Sequence, residues 1–150
     1  MPASFPDLKP FFSPKSAALV GASADLRKFG GRCLKQLVDF GYEGRIYPVN
    51  PKADTILGMP CYPDIASLPE APDHVGIVVP GKAIPGVLKQ CGDRGVRHVT
   101  IFSSGFSEGG SADGAAFQAE IVALAREHGI RLMGPNCNGL INYVDGFALT

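Results

Sequence analysis

The chain has no tryptophan, no run of lysine and arginine, and no apolar stretch approaching the length of a bilayer span. Each absence removes a class of function. The 14 Lys/Arg are balanced by 14 Asp/Glu, so the formal net charge is zero and there is no electrostatic footprint for nucleic acid. The opening "MPASFPDLKPFFSPKS" lacks the charged start and continuous apolar core of a secretory signal. No Asn-x-Ser/Thr sequon and no C-x-x-C pair occurs. Cys33, Cys61, Cys91 and Cys137 are widely and irregularly spaced, as in the reduced thiols of a cytoplasmic protein without zinc or another bound metal. Gly-x-Gly-x-x-Gly is missing too. "LVGASADLRKFGG" (residues 19–31) has seven residues between Ser23 and Gly31 where a dinucleotide fingerprint would have fewer.

What is present is alternation. At 150 residues the chain is one domain, able to bury about two-thirds of its unfolded surface. Short β-branched runs at Ala17–Val20, Arg45–Val49, His74–Val79, His98–Phe102 and Arg131–Met133 read as strands. The third and fourth are almost continuously apolar, as central parallel strands covered on both faces would be. Between them, Ile84, Val87, Leu88 and Cys91 fall at helical spacing, as do Phe117, Ile121, Leu124 and Ala125. Leu34, Leu37 and Val38 make a shorter stripe. Gly41, Gly92 and Gly129 are placed as helix stops. Residues 51–72 carry five prolines and read as a loop with a small strand near Cys61–Tyr62 and a turn of helix after Pro63. The expected architecture is an α/β, doubly wound parallel sheet of about five strands in the order 3-2-1-4-5.

In an open parallel sheet, ligands bind beyond the carboxyl ends of the strands. The five segments expected there are Gly21-Ala22-Ser23, Asn50-Pro51-Lys52, Pro80-Gly81, Ser103-Ser104-Gly105 and Gly134-Pro135-Asn136-Cys137-Asn138-Gly139. All are small, polar or rich in glycine and proline. Ordinary turn chemistry accounts for part of this, but not for the gathering of Lys52, Ser103, Ser104 and Asn136 on one edge. The first loop suits a phosphate: Gly21 permits close approach, Ser23 offers a hydroxyl, Lys28 adds charge, and Gly30 and Gly31 open a helix whose free N–H groups favour an anion. After the second strand, "VNPK" places Lys52 where NAD enzymes carry an acid. That cation suits a phosphorylated ribose, as in NADP or coenzyme A, although a solvated surface lysine would look the same.

The longer motifs are more specific. "FFSPKSAALVGASADLRKFGG", "IYPVNPKADTILGMPCYPDIASLPE", "FSSGFSE" and "RLMGPNCNGLIN" together resemble the CoA-binding domain of NDP-forming acyl-CoA synthetases. That family includes the α subunit of succinyl-CoA synthetase and ADP-forming acetate–CoA ligase. The resemblance runs from about Leu8 to Thr150 and implies a Rossmann-like domain, the N-terminal part of a longer ligase, with coenzyme A extended along the strand edge. Gly21, Ala22, Ser23 and the residues Lys28, Phe29 and Gly30 match the loop that holds its phosphates. Asn50, Pro51 and Lys52 match the nucleotide end, and Val79 and Pro80 lie under the ligand. Ser103, Ser104 and Gly105 match the turn near the pantetheine arm, where succinyl-CoA synthetase has Thr-Glu in place of Ser-Ser. Asn136 and Cys137 match the loop nearest the thiol. Cys137 reads as a packing or backbone-positioning residue, since no histidine base is identifiable beside it.

The family reaction converts an acid, CoA and ATP to acyl-CoA, ADP and phosphate through a phosphohistidine. That histidine belongs to the next domain, and nucleotide binds an ATP-grasp domain or subunit; both would be partners of this chain, with oligomerisation possible. His74, His98 and His128 do not stand in a glycine-rich phosphate loop, so no catalytic residue is expected here and the chain alone would be inactive. Two other readings remain open: a CoA-sensing regulatory domain, such as one fused to an acetyltransferase, and an NADP-linked oxidoreductase domain.

Overall fold

The five apolar runs form the five strands of one parallel sheet in the computed structural model, which describes residues 7–150. The part of the leader reading that falls on residues 1–6 lies outside the described residues. The strands are β1 (Ser16–Val20), β2 (Arg45–Val49), β5 (His74–Ile77), β6 (His98–Ile101) and β7 (Arg131–Met133). Two small antiparallel pairs complete the strands: β3 (Thr55–Ile56) with β4 (Met59–Pro60), and β8 (Leu140–Asn142) with β9 (Phe147–Leu149). The helices are α1 (Lys9–Phe12), α2 (Phe29–Asp39), α3 (Ile84–Asp93) and α4 (Ala112–Glu127). None is long and apolar enough to cross a membrane.

The doubly wound fold is as expected, but the strand order is not. The sheet runs β2-β1-β5-β6-β7, which in terms of the five sequence runs is 2-1-3-4-5 rather than 3-2-1-4-5. Pro48 supplies the physical reason. A proline cannot donate to a ladder, so its strand belongs at an edge. β2 pairs only with β1 in the sheet, with Leu19 opposite Pro48. On its outer side the Pro48 carbonyl accepts from Tyr62 N–H at 3.0 Å, and Tyr62 forms an isolated parallel bridge with Val49. β5 is buried throughout and belongs in the centre, where Leu19 and Leu149 press against Gly76.

Alternation along the strands divides the core. Ala18, Val20, Val75, Ile77, Val99 and Ile101 face α3 and α4, where Ile84, Leu88, Ile121 and Ala125 cover them. Ala17 and Leu19 face the other way, toward Leu34 and Leu37 of α2 and Phe147 and Leu149 of β9. Each of these fully buried Leu and Ile side chains contributes roughly 1.5–3 kcal/mol.

Several details differ from the sequence expectation. Val38 is 45% exposed, in the last turn of α2, whereas Gly30, Gly31, Cys33, Leu34 and Leu37 are the buried residues of that helix. Gly92 lies within α3, not at its end; a Cβ there would strike the His128 ring. The stop is Gly95, at φ +80°. After Pro63 there is a turn, not a helix, and the small strands are β3 and β4. The β8–β9 hairpin is an addition, closed by Tyr143–Gly146 and marked in the sequence by Asp145-Gly146.

Candidate ligand cleft

From β1 the chain turns to α2 on one face; from the adjacent β5 it turns to α3 on the other. Beyond the carboxyl ends of two such diverging strands a crevice opens, the expected place for a ligand in a sheet of this order. Here it is a cleft of about 490 Å³, within the range of roughly 300–1,000 Å³ typical of small-molecule sites. Gly21, Lys28, Asn50, Pro51, Lys52, Val79 and Pro80, all anticipated from the sequence, line it together.

The loop after β1 is shaped by close backbone approach. Gly21 has φ +92°, and a Cβ on it would overlap the Val78 carbonyl. A Cβ on Gly30 would overlap the Gly21 carbonyl, and one on Gly31 the carbonyl of Asp25. The start of α2 therefore sits directly on the loop. Lys28 is its N-cap, and the first N–H groups of α2, including those of Phe29 and Gly30, have no intrahelical acceptor.

Charge within this loop is unevenly used. The Asp25 carboxylate accepts from Arg27 N–H and Nε at 3.0 Å and from its terminal nitrogen at 2.9 Å. Those hydrogen bonds hold the Asp25 carboxyl below its usual range. Arg27 is thus neutralised locally, whereas Lys28 and Lys52 have no ion-pair partner among the described residues. The Ser23 hydroxyl accepts from Asp25 N–H at 3.0 Å, so it stiffens the loop. Ala22 is fully buried. Phe29 packs on Phe102 with ring centroids 5.1 Å apart, and the Arg32 guanidinium lies 5.8 Å from the Phe29 ring. Ala22, Ser23, Phe29 and Gly30 shape the loop without lining the cleft.

Asn50 ties the second loop to the first. Its carboxamide donates to the Ala22 carbonyl at 2.8 Å and accepts from Lys52 N–H at 2.9 Å, while its own N–H donates to Tyr62 O at 2.8 Å. The far wall was not anticipated: Pro63, Asp64, Ile65, Ala83, Val87 and Gln90 also line the cleft. Ile65 and Leu68, both buried, carry the signal that could have found it. Apolar residues three apart in a proline-rich loop require that loop to fold back on the body.

The remaining predicted residues lie farther along the same edge, outside the cleft. The Ser103 hydroxyl donates to Val79 O at 2.5 Å, Asn136 N–H donates to Ser103 O at 3.0 Å, and the Cys137 thiol lies 3.5 Å from Ile101 O. The Glu108 carboxylate accepts from Gly105 N–H at 2.6 Å and Phe106 N–H at 3.1 Å, which holds its pKa low. Ser104 is exposed on the same turn. These contacts order the ends of β6 and β7 and join them to the cleft wall through Val79.

The histidines are elsewhere. His74 and His98 open their strands, at the end of the sheet opposite the cleft. His74 Nδ1 faces the Phe11 carbonyl at 3.0 Å, so it carries the proton, and Nε2 accepts from the Thr100 hydroxyl at 2.8 Å. Burial pushes the His74 pKa down to about 4. At that opposite end, a wider groove of about 770 Å³ runs between the start of β2 and the β8–β9 turn. Its walls mix Lys9, Lys15 and Arg45 with Glu43 and Asp145. The smaller cleft combines apolar walls with two cations that have no ion-pair partner among the described residues, and is the better candidate.

The CoA binding domain family model matches residues 15–143. The chain is 43% identical over 144 residues to the ADP-forming acetate–CoA ligase II of Archaeoglobus fulgidus, covering 96% of this chain and 21% of that protein. It is 42% identical over 137 residues to a trans-feruloyl-CoA synthase from an unknown prokaryotic organism, covering 91% of this chain and 19% of that one. Among solved structures, the dinucleotide forming acetyl-coenzyme A synthetase 1 of Ca. Korarchaeum cryptofilum, in complex with phosphate and ADP, superimposes with a TM-score of 0.91 at 36% identity. That match covers 96% of this chain and 30% of the other. The chain thus spans about a fifth of those curated relatives' length.

Proposed function

The chain belongs to the CoA binding domain family, and from that premise we propose that it holds coenzyme A for an NDP-forming acyl-CoA synthetase. The observation that carries this reading is the cleft where α2 and α3 diverge, with Lys28 and Lys52 in its lining, unpaired among the described residues, beside a loop cleared of side chains at Gly21 and Gly30. The two ammonium groups and the open N–H groups of α2 would meet the phosphates. The adenosine would enter the apolar part of the cleft, near Asn50, Pro51 and Lys52, with Val79 and Pro80 beneath the ligand. The pantetheine arm would run along Ser103, Ser104 and Gly105, bringing the thiol toward Asn136 and Cys137.

In this reading the chain binds and orients CoA, and the phosphoryl relay lies in further domains or subunits. None of its histidines lies at the cleft, so the phosphohistidine and the ATP-grasp site would be supplied by the partners. The relatives that activate acetate and trans-ferulate resemble this chain about equally, which supports a shared role in holding CoA, with acyl choice made elsewhere. A cation rather than an acid after β2 fits CoA or NADP, and family membership favours CoA.

Calorimetric titration of the 150-residue chain with CoA and, separately, NADPH tests the reading. Saturable binding of CoA that weakens with added salt is expected. Binding of NADPH alone would overturn it.

A further inference from the structure

Two polar side chains in the lining of the cleft have no part in holding phosphate, Gln90 of α3 and Asp64 of the 61–72 loop. Each is half committed. Gln90 Oε1 accepts from Ile65 N–H at 3.1 Å, which determines which end of the carboxamide is oxygen and leaves the amino group without a protein acceptor among the described residues. Asp64 Oδ1 accepts from Ser67 N–H at 2.8 Å, and its other oxygen has no protein donor among the described residues. The cleft therefore offers a donor and an acceptor between walls made by Ile65, Ala83 and Val87.

We propose that Gln90 and Asp64 read the edge of the adenine base of CoA, so that this chain selects an adenine nucleotide over a 6-oxo purine. The inference rests on the CoA reading above and adds base specificity to it. Adenine presents a ring-nitrogen acceptor next to its 6-amino donor, the complement of an amide N–H beside a carboxylate oxygen. A 6-oxo purine presents acceptors at both O6 and N7 on one edge, and on the other its O6 acceptor and N1–H donor stand in the reverse order to those of adenine. Against such a base the Asp64 oxygen would face another acceptor in a partly enclosed cleft, and a polar group left unpaired there discriminates more strongly than a change in apolar contact. Proline and aliphatic walls suit either ring equally, so the discrimination falls to these two side chains.

The test compares CoA with its deaminated analogue, in which hypoxanthine replaces adenine, by calorimetry on the same preparation of the chain. The wild-type protein should bind CoA about tenfold or more tightly than the analogue. Asp64→Asn keeps an oxygen for Ser67 N–H but can place a donor against the base. In that variant the preference should shrink by about tenfold or reverse. Because the ratio is taken within one preparation, partial unfolding of a variant cancels. Gln90→Glu, which retains the acceptor for Ile65 N–H and removes the donors, should weaken CoA binding. Saturable CoA binding with the analogue within about twofold in the wild type, or an unchanged ratio in Asp64→Asn, would overturn this inference and leave the CoA reading intact. Failure of both ligands to bind would overturn both.

Discussion

The Asn50 carboxamide donates to the Ala22 carbonyl at 2.8 Å, joining the loop after β2 to the loop after β1 across the mouth of the cleft. The same side chain accepts from Lys52 N–H, so a single residue sets the relation between the glycine-containing loop after β1 and Lys52. Asn50→Asp keeps the acceptor and replaces the donor with an oxygen facing another oxygen. It should destabilise the fold by about 1–3 kcal/mol in urea unfolding and weaken CoA binding. Unchanged stability and affinity would show that the clasp is dispensable.

The two cleft lysines should act on affinity and not on folding. Lys28→Ala and Lys52→Ala are each expected to weaken CoA binding by about threefold to tenfold, with a shallower salt dependence than wild type. Their unfolding midpoints should be unchanged, because neither side chain has an ion-pair partner among the described residues. An Arg27→Ala control, which removes a charge already paired with Asp25, should have less effect on binding.

Glycine substitutions should differ in sign with position. At Gly30 a Cβ would overlap the Gly21 carbonyl, so Gly30→Ala should cost about 1–3 kcal/mol and displace the start of α2 from the loop. At Gly86, in the first turn of α3, a Cβ meets nothing within 4 Å. Gly86→Ala should raise stability by about 0.5–1 kcal/mol. Thermal unfolding of both variants, with and without CoA, separates packing from ligand effects.

His74 makes stability depend on pH. Its pKa is lowered from 6.5 to about 4 in the folded chain, so between these values the unfolded state binds more protons. Stability should therefore be full above about pH 6.5 and fall as pH drops toward 4, by on the order of 3 kcal/mol from this group. In His74→Asn, urea midpoints measured from pH 8 to 4 should show a flatter slope across that window. An identical slope would assign the acid sensitivity to other groups.

Much of the fold is legible in the sequence. β-Branched runs and helical stripes located every strand of the main sheet, because burial on two faces or on one stripe leaves a local period in the chain. Pro48 even carried the strand order, since a strand that cannot donate to a neighbour belongs at the edge, although the alternation alone suggested a different one. The β8–β9 hairpin had its signal in Asp145-Gly146. Val38 and Gly92 were misplaced because a helix's buried arc and its end depend on which neighbour it meets, and His128 is 36 residues from Gly92 along the chain.

By itself the sequence determined the α/β class, the glycine loop, the two lysines and the family resemblance, all of which depend on residue types at short spacing. Only the tertiary structure decided that Asn50 is a clasp, that Ser103 and Cys137 stand outside the cleft, and that Asp64, Ile65 and Gln90 form its far wall. Those relations arise where a proline-rich loop folds back against α3. The contacts join residues some 25 positions apart, as between Ile65 and Gln90, and leave no period in the sequence.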